Sequence, residues 1–117
     1  MAIRFVRQAE LPRDAFSHEF VGERFGGVGA CVIFVEAQPG DGPRLHRHPY
    51  VELLMVLEGT ATFTDGSSQR QVGPGEMAVV EAQQPHGFVN SGAGILRQID
   101  IHLSPKFVTE WLVPAND

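Results

Sequence analysis

Apolar and polar positions along the chain alternate over short distances, and this pattern predicts strands in preference to long helices. Residues 30–37 and 51–57 are predominantly apolar runs bounded by turn-forming residues, as is typical of buried strands. Residues 60–64 and 69–72 flank an Asp-Gly turn, which between two β-prone segments is a strong hairpin signal. Further short strands are expected at 15–20, 77–80, 87–89 and 95–103. Strands at this spacing, with turn signals between them, predict an all-β sandwich or barrel.

The pattern changes after the last predicted strand. Ser104 followed by Pro105 resembles a helix start, with a capping hydroxyl and a proline at the first helical position. Apolar residues then recur at helical spacing: Phe107, Val108, Trp111 and Leu112. We therefore predict a short C-terminal helix over about 105–112 that covers the outside of a sheet or a dimer contact.

The strand predicted over 95–103 has two chemically different faces. Ile99, Ile101 and other apolar residues share one face, whereas Gln98, Asp100 and His102 share the other. In a half-buried strand the polar set faces solvent, but in a barrel that holds a ligand it faces the cavity. Parity alone does not choose between these alternatives. In the second case the three polar residues are candidates for catalysis, for orienting substrate or for supporting a site.

Composition and charge narrow the class of protein. A chain of 117 residues with 43% hydrophobic and 20% charged residues has the size and composition of one ordinary globular domain. No internal repeat divides it, so a single domain over 1–117 is expected. A net charge of −5 argues against nucleic-acid binding, which requires a basic surface. One cysteine, Cys31, excludes an internal disulfide.

The chain also carries no sequence signal for a membrane. No stretch approaches the roughly 20 apolar residues of a transmembrane helix. The first residues contain no apolar core of the length found in a secretory signal peptide. A cytoplasmic location with no membrane partner is therefore the expectation.

Histidines and a carboxylate in the middle of the chain suggest a metal site. His46 and His48 are two residues apart and point to the same side of a strand, and Glu52 has the same parity. Imidazole and carboxylate together suit Fe, Mn, Ni, Cu or Zn, whereas Ca and Mg prefer all-oxygen ligands. The alternative is a pair of surface histidines in a loop. His86 lies after Pro85 at a strand start, and taken alone this position favours an ordinary hydrogen-bonded residue over a metal ligand.

Taken together, these residues resemble the two sequence motifs of the cupin superfamily. The first motif spans 40–59 and matches without departure; its members are Gly40, His46, His48, Glu52 and Gly59. The second motif spans 75–90, with Gly75, His86 and Asn90 in register. Glu81 stands where the family usually has proline and Gln83 where it usually has glycine. These departures concern the turn before His86 and do not alter a ligand.

The resemblance implies both a fold and a ligand set. The expected fold is an all-β, double-stranded β-helix, the cupin jelly-roll barrel, to which the predicted C-terminal helix is added. The resemblance also implies a divalent transition metal (Fe, Mn, Ni, Cu or Zn) and a homodimer. Its ligands would be His46, His48, Glu52 and His86.

Such a site leaves coordination positions open for a substrate. One carboxylate against a divalent ion leaves a formal charge near +1, which favours a small polar, anionic metabolite. We therefore expect a metal-dependent enzyme, either a dioxygenase or an isomerase/lyase, and the alternative is a non-catalytic small-molecule-binding or sensing module. Five side chains are candidates for the apolar wall of the pocket: Tyr50, Met55, Phe63, Met77 and Phe88.

Overall fold

Eleven short strands and two 3₁₀ turns make up the described part of the protein, residues 2–114 of a computed structural model. The strands are β1 (Arg13–Asp14), β2 (Ser17–Val21), β3 (Cys31–Ala37), β4 (His46–Arg47), β5 (Glu52–Glu58), β6 (Ala61–Thr64), β7 (Gln69–Val72), β8 (Met77–Val80), β9 (Gly87–Asn90), β10 (Leu96–His102) and β11 (Glu110–Trp111). The 3₁₀ turns are Gln8–Glu10 and Gly22–Phe25. The outermost residues of the domain predicted over 1–117, namely 1 and 115–117, lie outside the described range.

The strands form two facing antiparallel layers. A six-stranded sheet has the order β1-β2-β3-β10-β5-β8. The opposite layer contains β7-β6-β9 and the pair β11-β4, which an isolated bridge between His46 and His86 joins to the β9 side. Buried apolar side chains from both layers meet in one core: Ile33, Val35, Ala37, Leu54, Val56, Ala61, Val72, Val80, Phe88 and Leu96. This arrangement confirms the predicted all-β jelly roll.

Strand β10 lies at the centre of the large sheet, between β3 and β5. Alternate residues along it are buried, and the buried set includes Gln98, Asp100 and His102. A central strand covered by the second layer has no solvent-facing inner side, so its polar set faces the interior of the barrel. Of the two alternatives for this strand, the inward-facing one is therefore correct, and of the three polar residues Asp100 and His102 line the cavity.

The predicted C-terminal helix is wrong. Residues 105–112 contain no helical turn, and Glu110–Trp111 instead forms β11, antiparallel to β4. Two hydrogen bonds of 2.9 and 3.0 Å from Arg47 to the Glu110 carboxylate reinforce this pairing. A helix of eight residues is marginal alone in water, and pairing with an open strand edge satisfies the same backbone groups.

A search of residues 2–114 for a helix with the length and hydropathy of a membrane span found none.

The turn before His86 keeps a left-handed backbone despite its unusual sequence. Gln83 has φ +68°, and it is the only non-glycine residue among residues 2–114 with a positive φ. Such a conformation normally favours glycine, the residue usual at this motif position. The backbone N–H of Gln83 donates a 2.7 Å hydrogen bond to the backbone carbonyl of His48. The turn is therefore fastened to the strand end that carries two of the histidines.

Candidate metal centre

Four buried side chains from both layers converge at one end of the barrel. His46 is the first residue of β4, and His48 directly follows that strand. Glu52 is the first residue of β5, and His86 directly precedes β9. One ligand atom of each lies within 4.8 Å of the others. Donors sharing one first-row ion at about 2.1 Å are separated by up to about 4.2 Å. A small inward adjustment would therefore bring all four onto a single ion.

Backbone carbonyls fix the orientation of all three imidazole rings. The Nδ1 atom of each ring lies within hydrogen-bonding distance of a carbonyl oxygen: Arg44 for His46, Val108 for His48 at 2.7 Å, and Gln84 for His86 at 2.9 Å. Because a carbonyl can only accept, each neutral ring carries its proton on Nδ1 and presents the lone pair of Nε2. This pattern is what outer hydrogen bonds do to metal-binding histidines in general.

The arrangement of atoms at the centre of the cluster suits a cation. Nε2 of His48 and Nε2 of His86 lie 3.2 and 2.9 Å from Oε1 of Glu52. If both rings are neutral, these contacts place lone pairs against a carboxylate oxygen. The contact of His48 lacks hydrogen-bond geometry, and its buried Nε2 has no hydrogen-bond partner. A cation placed between these atoms relieves the repulsion, and three nitrogens with one carboxylate oxygen suit a first-row transition metal.

Electrostatics favour the protonation states that these residues would need to bind a metal. Burial alone would raise the pKa of Glu52, but the hydrogen bond from His102 opposes this effect, and the net shift lowers the pKa of Glu52. Burial lowers the pKa of His46 to about 4, against the opposing effect of the Arg44 carbonyl. At neutral pH Glu52 is therefore ionised and His46 is neutral, as metal coordination requires.

His102 supports Glu52 from behind. Its Nε2 lies 3.1 Å from Oε2 of Glu52, and its Nδ1 lies 2.8 Å from the hydroxyl of Tyr50. The Tyr50 hydroxyl accepts a 3.2 Å hydrogen bond from the amide of Val108. With Tyr50 donating to Nδ1, His102 donates from Nε2 to the carboxylate. This chain of hydrogen bonds occupies one oxygen of Glu52 and leaves the other facing the cluster.

Asp100 is a second buried carboxyl group near the cluster. It is 4% exposed, and its Oδ1 accepts a 2.7 Å hydrogen bond from the Gln98 amide. Burial and the nearby charge of Glu52 raise the pKa of Asp100 well above its usual range, although the Gln98 hydrogen bond acts in the opposite direction. The setting of Asp100 beside the cavity therefore favours its protonated form, and Gln98 holds it there without lining the cavity itself.

A cavity of about 120 Å³ opens above the four convergent residues. Its apolar wall includes Phe16, Phe88, Phe107 and Trp111. Sequence reasoning missed several residues around it: Asp14, Phe16, Ser17, Glu19, Phe107 and Thr109. The shared parity of Ser17 and Glu19 in the predicted strand 15–20 could have indicated that these two face inwards. The C-terminal contributors were obscured by the incorrect helix.

Of the five predicted wall residues, Phe88 lines the cavity and the other four do not. Met55 lies on the outer face of β5, because its side chain points away from the side that carries the buried Glu52 and Leu54. Its pairing partner on β8, Met77, is 53% exposed. Phe63 packs against Phe88, with ring centroids 5.4 Å apart. Tyr50 lies behind His102. The continuous apolar runs that contain Met55 and Met77 do not reveal which face of the strand is inside, which is why these two assignments failed.

Comparison with known proteins agrees with this architecture. The cupin domain family model matches residues 33–102. The Escherichia coli (strain K12) "HTH-type transcriptional regulator PuuR" is 33% identical over 79 residues, which are 66% of this chain and 42% of the regulator. The chain thus spans less than half the length of that relative.

Solved structures share the fold at low sequence identity. An uncharacterized double-stranded β-helix protein from Klebsiella pneumoniae has a TM-score of 0.71 and 19% identity, covering 93% of this chain and 98% of that one. The polyketide cyclase RemF from Streptomyces resistomycificus has a TM-score of 0.75 and 19% identity, covering 96% and 87%. A point mutant of the oxalate decarboxylase OxdC from Bacillus subtilis has a TM-score of 0.78 and 19% identity, covering 92% and 31%. With the family match covering more than half of its residues, this chain belongs to the cupin family.

Proposed function

We propose that this protein is a metal-dependent enzyme that acts on a small polar metabolite. In this proposal His46, His48, Glu52 and His86 hold one divalent transition metal, and the metabolite binds in the cavity above them. The observation that carries the proposal is the buried, unpartnered Nε2 of His48, directed at the Glu52 carboxylate. Among Fe, Mn, Ni, Cu and Zn, manganese has additional support, since the structurally similar B. subtilis oxalate decarboxylase has Mn(II) centres.

The residues around the cluster favour a proton-transfer reaction, as in an isomerase or lyase, over a dioxygenase reaction. A bound metal would supply a Lewis acid for polarising a substrate oxygen. Asp100 holds a proton at the cavity wall and exchanges it with the substrate, a role for which a buried carboxyl group with a raised pKa is suited. Glu52 is kept in place by His102 and Tyr50. The apolar wall excludes water from the reacting groups.

Metal content in the wild type and a His48→Ala variant tests this proposal directly. Near-stoichiometric metal is expected in the wild type, and the variant should retain less than about a tenth of it, because one ligand is gone and the fixed geometry of the others cannot replace it. His18→Ala is the matched control, since His18 lies on β2 outside the cluster. Elemental analysis of the purified proteins, with circular dichroism to verify folding, gives the result.

Three outcomes would count against the enzyme proposal. Absence of metal from the wild type after reconstitution would refute the metal site. Full metal content in His48→Ala would remove His48 from the ligand set. Turnover that persists in the metal-free protein would show that the chemistry does not depend on the metal.

A second candidate is a non-catalytic ligand-binding or sensing module. The 33% identity to a transcriptional regulator over 79 residues supports it. The net charge of −5 argues against direct contact between these residues and DNA. Incubating the metal-loaded protein with candidate metabolites and following them by NMR distinguishes the two functions, because a sensor binds its ligand and leaves it chemically unchanged.

The proposal includes a cytoplasmic homodimer. Apolar side chains of the C-terminal segment, which we define as residues 103–114, are 37–49% exposed and support association with a second copy: Leu103, Phe107, Val108, Trp111, Leu112 and Val113. The N-terminal strands, in contrast, pair with β3 of their own chain. A monomeric mass in light scattering would refute the dimer.

A further inference from the structure

Apart from histidines, the titratable side chains that line the cavity all carry carboxyl groups. Glu52 and Asp100 lie in its buried interior, whereas Asp14 is exposed and Glu19 is half-buried, so these two lie toward the entrance. Among the described residues that line the cavity there is no arginine or lysine. The sequence does not reveal this distribution of carboxyl groups. From the sequence, the charge of a metal with one carboxylate predicts an anionic metabolite.

We propose that the cavity binds a small molecule with an ammonium group at one end and a neutral metal-chelating group, such as a diol, at the other. The chelating end would lie at the His-Glu cluster and the ammonium group near Glu19 and Asp14. This inference rests on the proposed metal site, and it replaces the anionic metabolite expected from the charge of the metal and Glu52 alone.

The distribution of charge across the cavity supports this orientation. A divalent ion with Glu52 leaves a formal charge near +1 at the inner end, while ionised Asp14 and Glu19 place two negative charges at the entrance. Asp100, in its protonated form, adds none. Carboxylate and phosphate ligands are normally held by arginine or lysine, and this wall offers neither. An anion bound at the metal would instead extend toward two carboxylates.

Among residues 2–114, no cationic side chain forms an ion pair with either entrance carboxylate. Burial and the charge of Asp14 raise the pKa of Glu19, and a hydrogen bond with Ser17 and the charge of Arg24 only partly oppose this. An ammonium group between Glu19 and Asp14 would remove their mutual repulsion.

The acidic entrance and the histidine cluster line the same cavity. The same cavity contains the Nε2 atom of His48, whose side chain is 2% exposed and whose lone pair has no hydrogen-bond partner. A ligand spanning the cavity therefore meets a coordination site at one end and two carboxylates at the other. This polarity selects for molecules with two chemically different ends.

Three probes with the same three-carbon diol test the inference: 3-amino-1,2-propanediol, glycerol and glycerate. Binding to the metal-loaded protein is measured by isothermal titration calorimetry. The amine should bind at least about fivefold more tightly than glycerol and about tenfold more tightly than glycerate. The comparison is stringent, because the carboxylate of glycerate can itself coordinate the metal.

Charge-removing variants locate the preference. Asp14→Asn combined with Glu19→Gln should abolish the preference for the amine, and Glu19→Gln alone should reduce it if the double variant does not fold. Glu10→Gln is the matched control, because it removes one negative charge from an exposed 3₁₀ turn outside the cavity. It should leave the preference unchanged.

Metal analysis of each sample separates failure of this inference from failure of the proposed function. Metal-loaded wild type that binds glycerate as tightly as the amine, or binds none of the three probes, overturns the inference and leaves the metal site intact. A preference that survives in the variants also overturns the assignment of Asp14 and Glu19. A wild type that takes up no metal refutes the proposed function, and the ligand inference with it.

Discussion

Replacing Glu52 by glutamine is expected to lower metal affinity at least about 100-fold, since changes to outer partners of ligands alone cost 10–100-fold. The carboxylate is the anionic member of the ligand set, and its Oε1 lies 2.9 and 3.2 Å from the Nε2 atoms of His86 and His48. An amide of the same size removes the negative charge that balances the ion. Competitive metal titration against a chelating dye measures the loss.

The fold should survive the Glu52→Gln change. In the metal-free protein the new amide N–H can donate to a histidine Nε2, while the amide oxygen accepts from His102. The lone-pair repulsion at the centre thereby becomes a hydrogen bond, and the melting temperature of the metal-free variant should equal or exceed that of the wild type. Glu58→Gln, at the exposed end of the same strand, is the control. Wild-type metal affinity in Glu52→Gln would exclude Glu52 as a ligand.

Acid is expected to destabilise the metal-free wild type relative to a His46→Asn variant. Burial lowers the pKa of His46 from 6.5 to about 4 in the folded state. As pH falls through 6.5 the unfolded chain binds a proton that the folded protein does not, so the free energy of unfolding decreases until the pH reaches about 4. The difference amounts to about 3 kcal/mol. Urea unfolding of both proteins between pH 7 and pH 4, about the range of this titration, measures it.

Asp100 should have the opposite effect over part of the same range. Its pKa is raised in the folded state, so the folded protein binds a proton before the unfolded chain does, and stability is gained as pH falls through that raised pKa. Relative to Asp100→Asn, the wild type therefore gains stability on acidification, whereas relative to His46→Asn it loses stability. Because the two contributions oppose each other, each variant must be compared separately with the wild type. Parallel stability curves for all three proteins would contradict both assignments.

The strand pattern and the order of the motifs could be predicted because both depend on local sequence. Asp65-Gly66 marks the β6–β7 hairpin, and the two-residue spacing of His46 and His48 places both rings on one side. The outcome for β10 could not be read from alternation, because a polar stripe suits either solvent or a cavity. Its position between β3 and β5 decides, and pairing between distant segments is invisible in local sequence.

The C-terminal prediction failed for a related reason. Spacing of Phe107, Val108 and Trp111 matches a helix, yet the aromatic residues among them contact histidine rings when the chain is extended: Phe107 lies 4.7 Å from His102 and Trp111 lies 5.1 Å from His46, measured between ring centroids. These contacts and the pairing with β4 are long-range. In the folded barrel these long-range contacts outweigh the local helical spacing of the apolar residues.

The hydrogen bond from His48 to the carbonyl of Val108 has a consequence for how function diversifies on this barrel. The family match ends at residue 102, so the group that sets the tautomer of one candidate ligand, and part of the cavity wall, lie beyond the shared module. Proteins with identical motifs but a different segment after β10 would differ in the group that orients this histidine and in the shape of the entrance. Evolution can therefore exchange substrates by altering a peripheral strand while every motif residue stays unchanged.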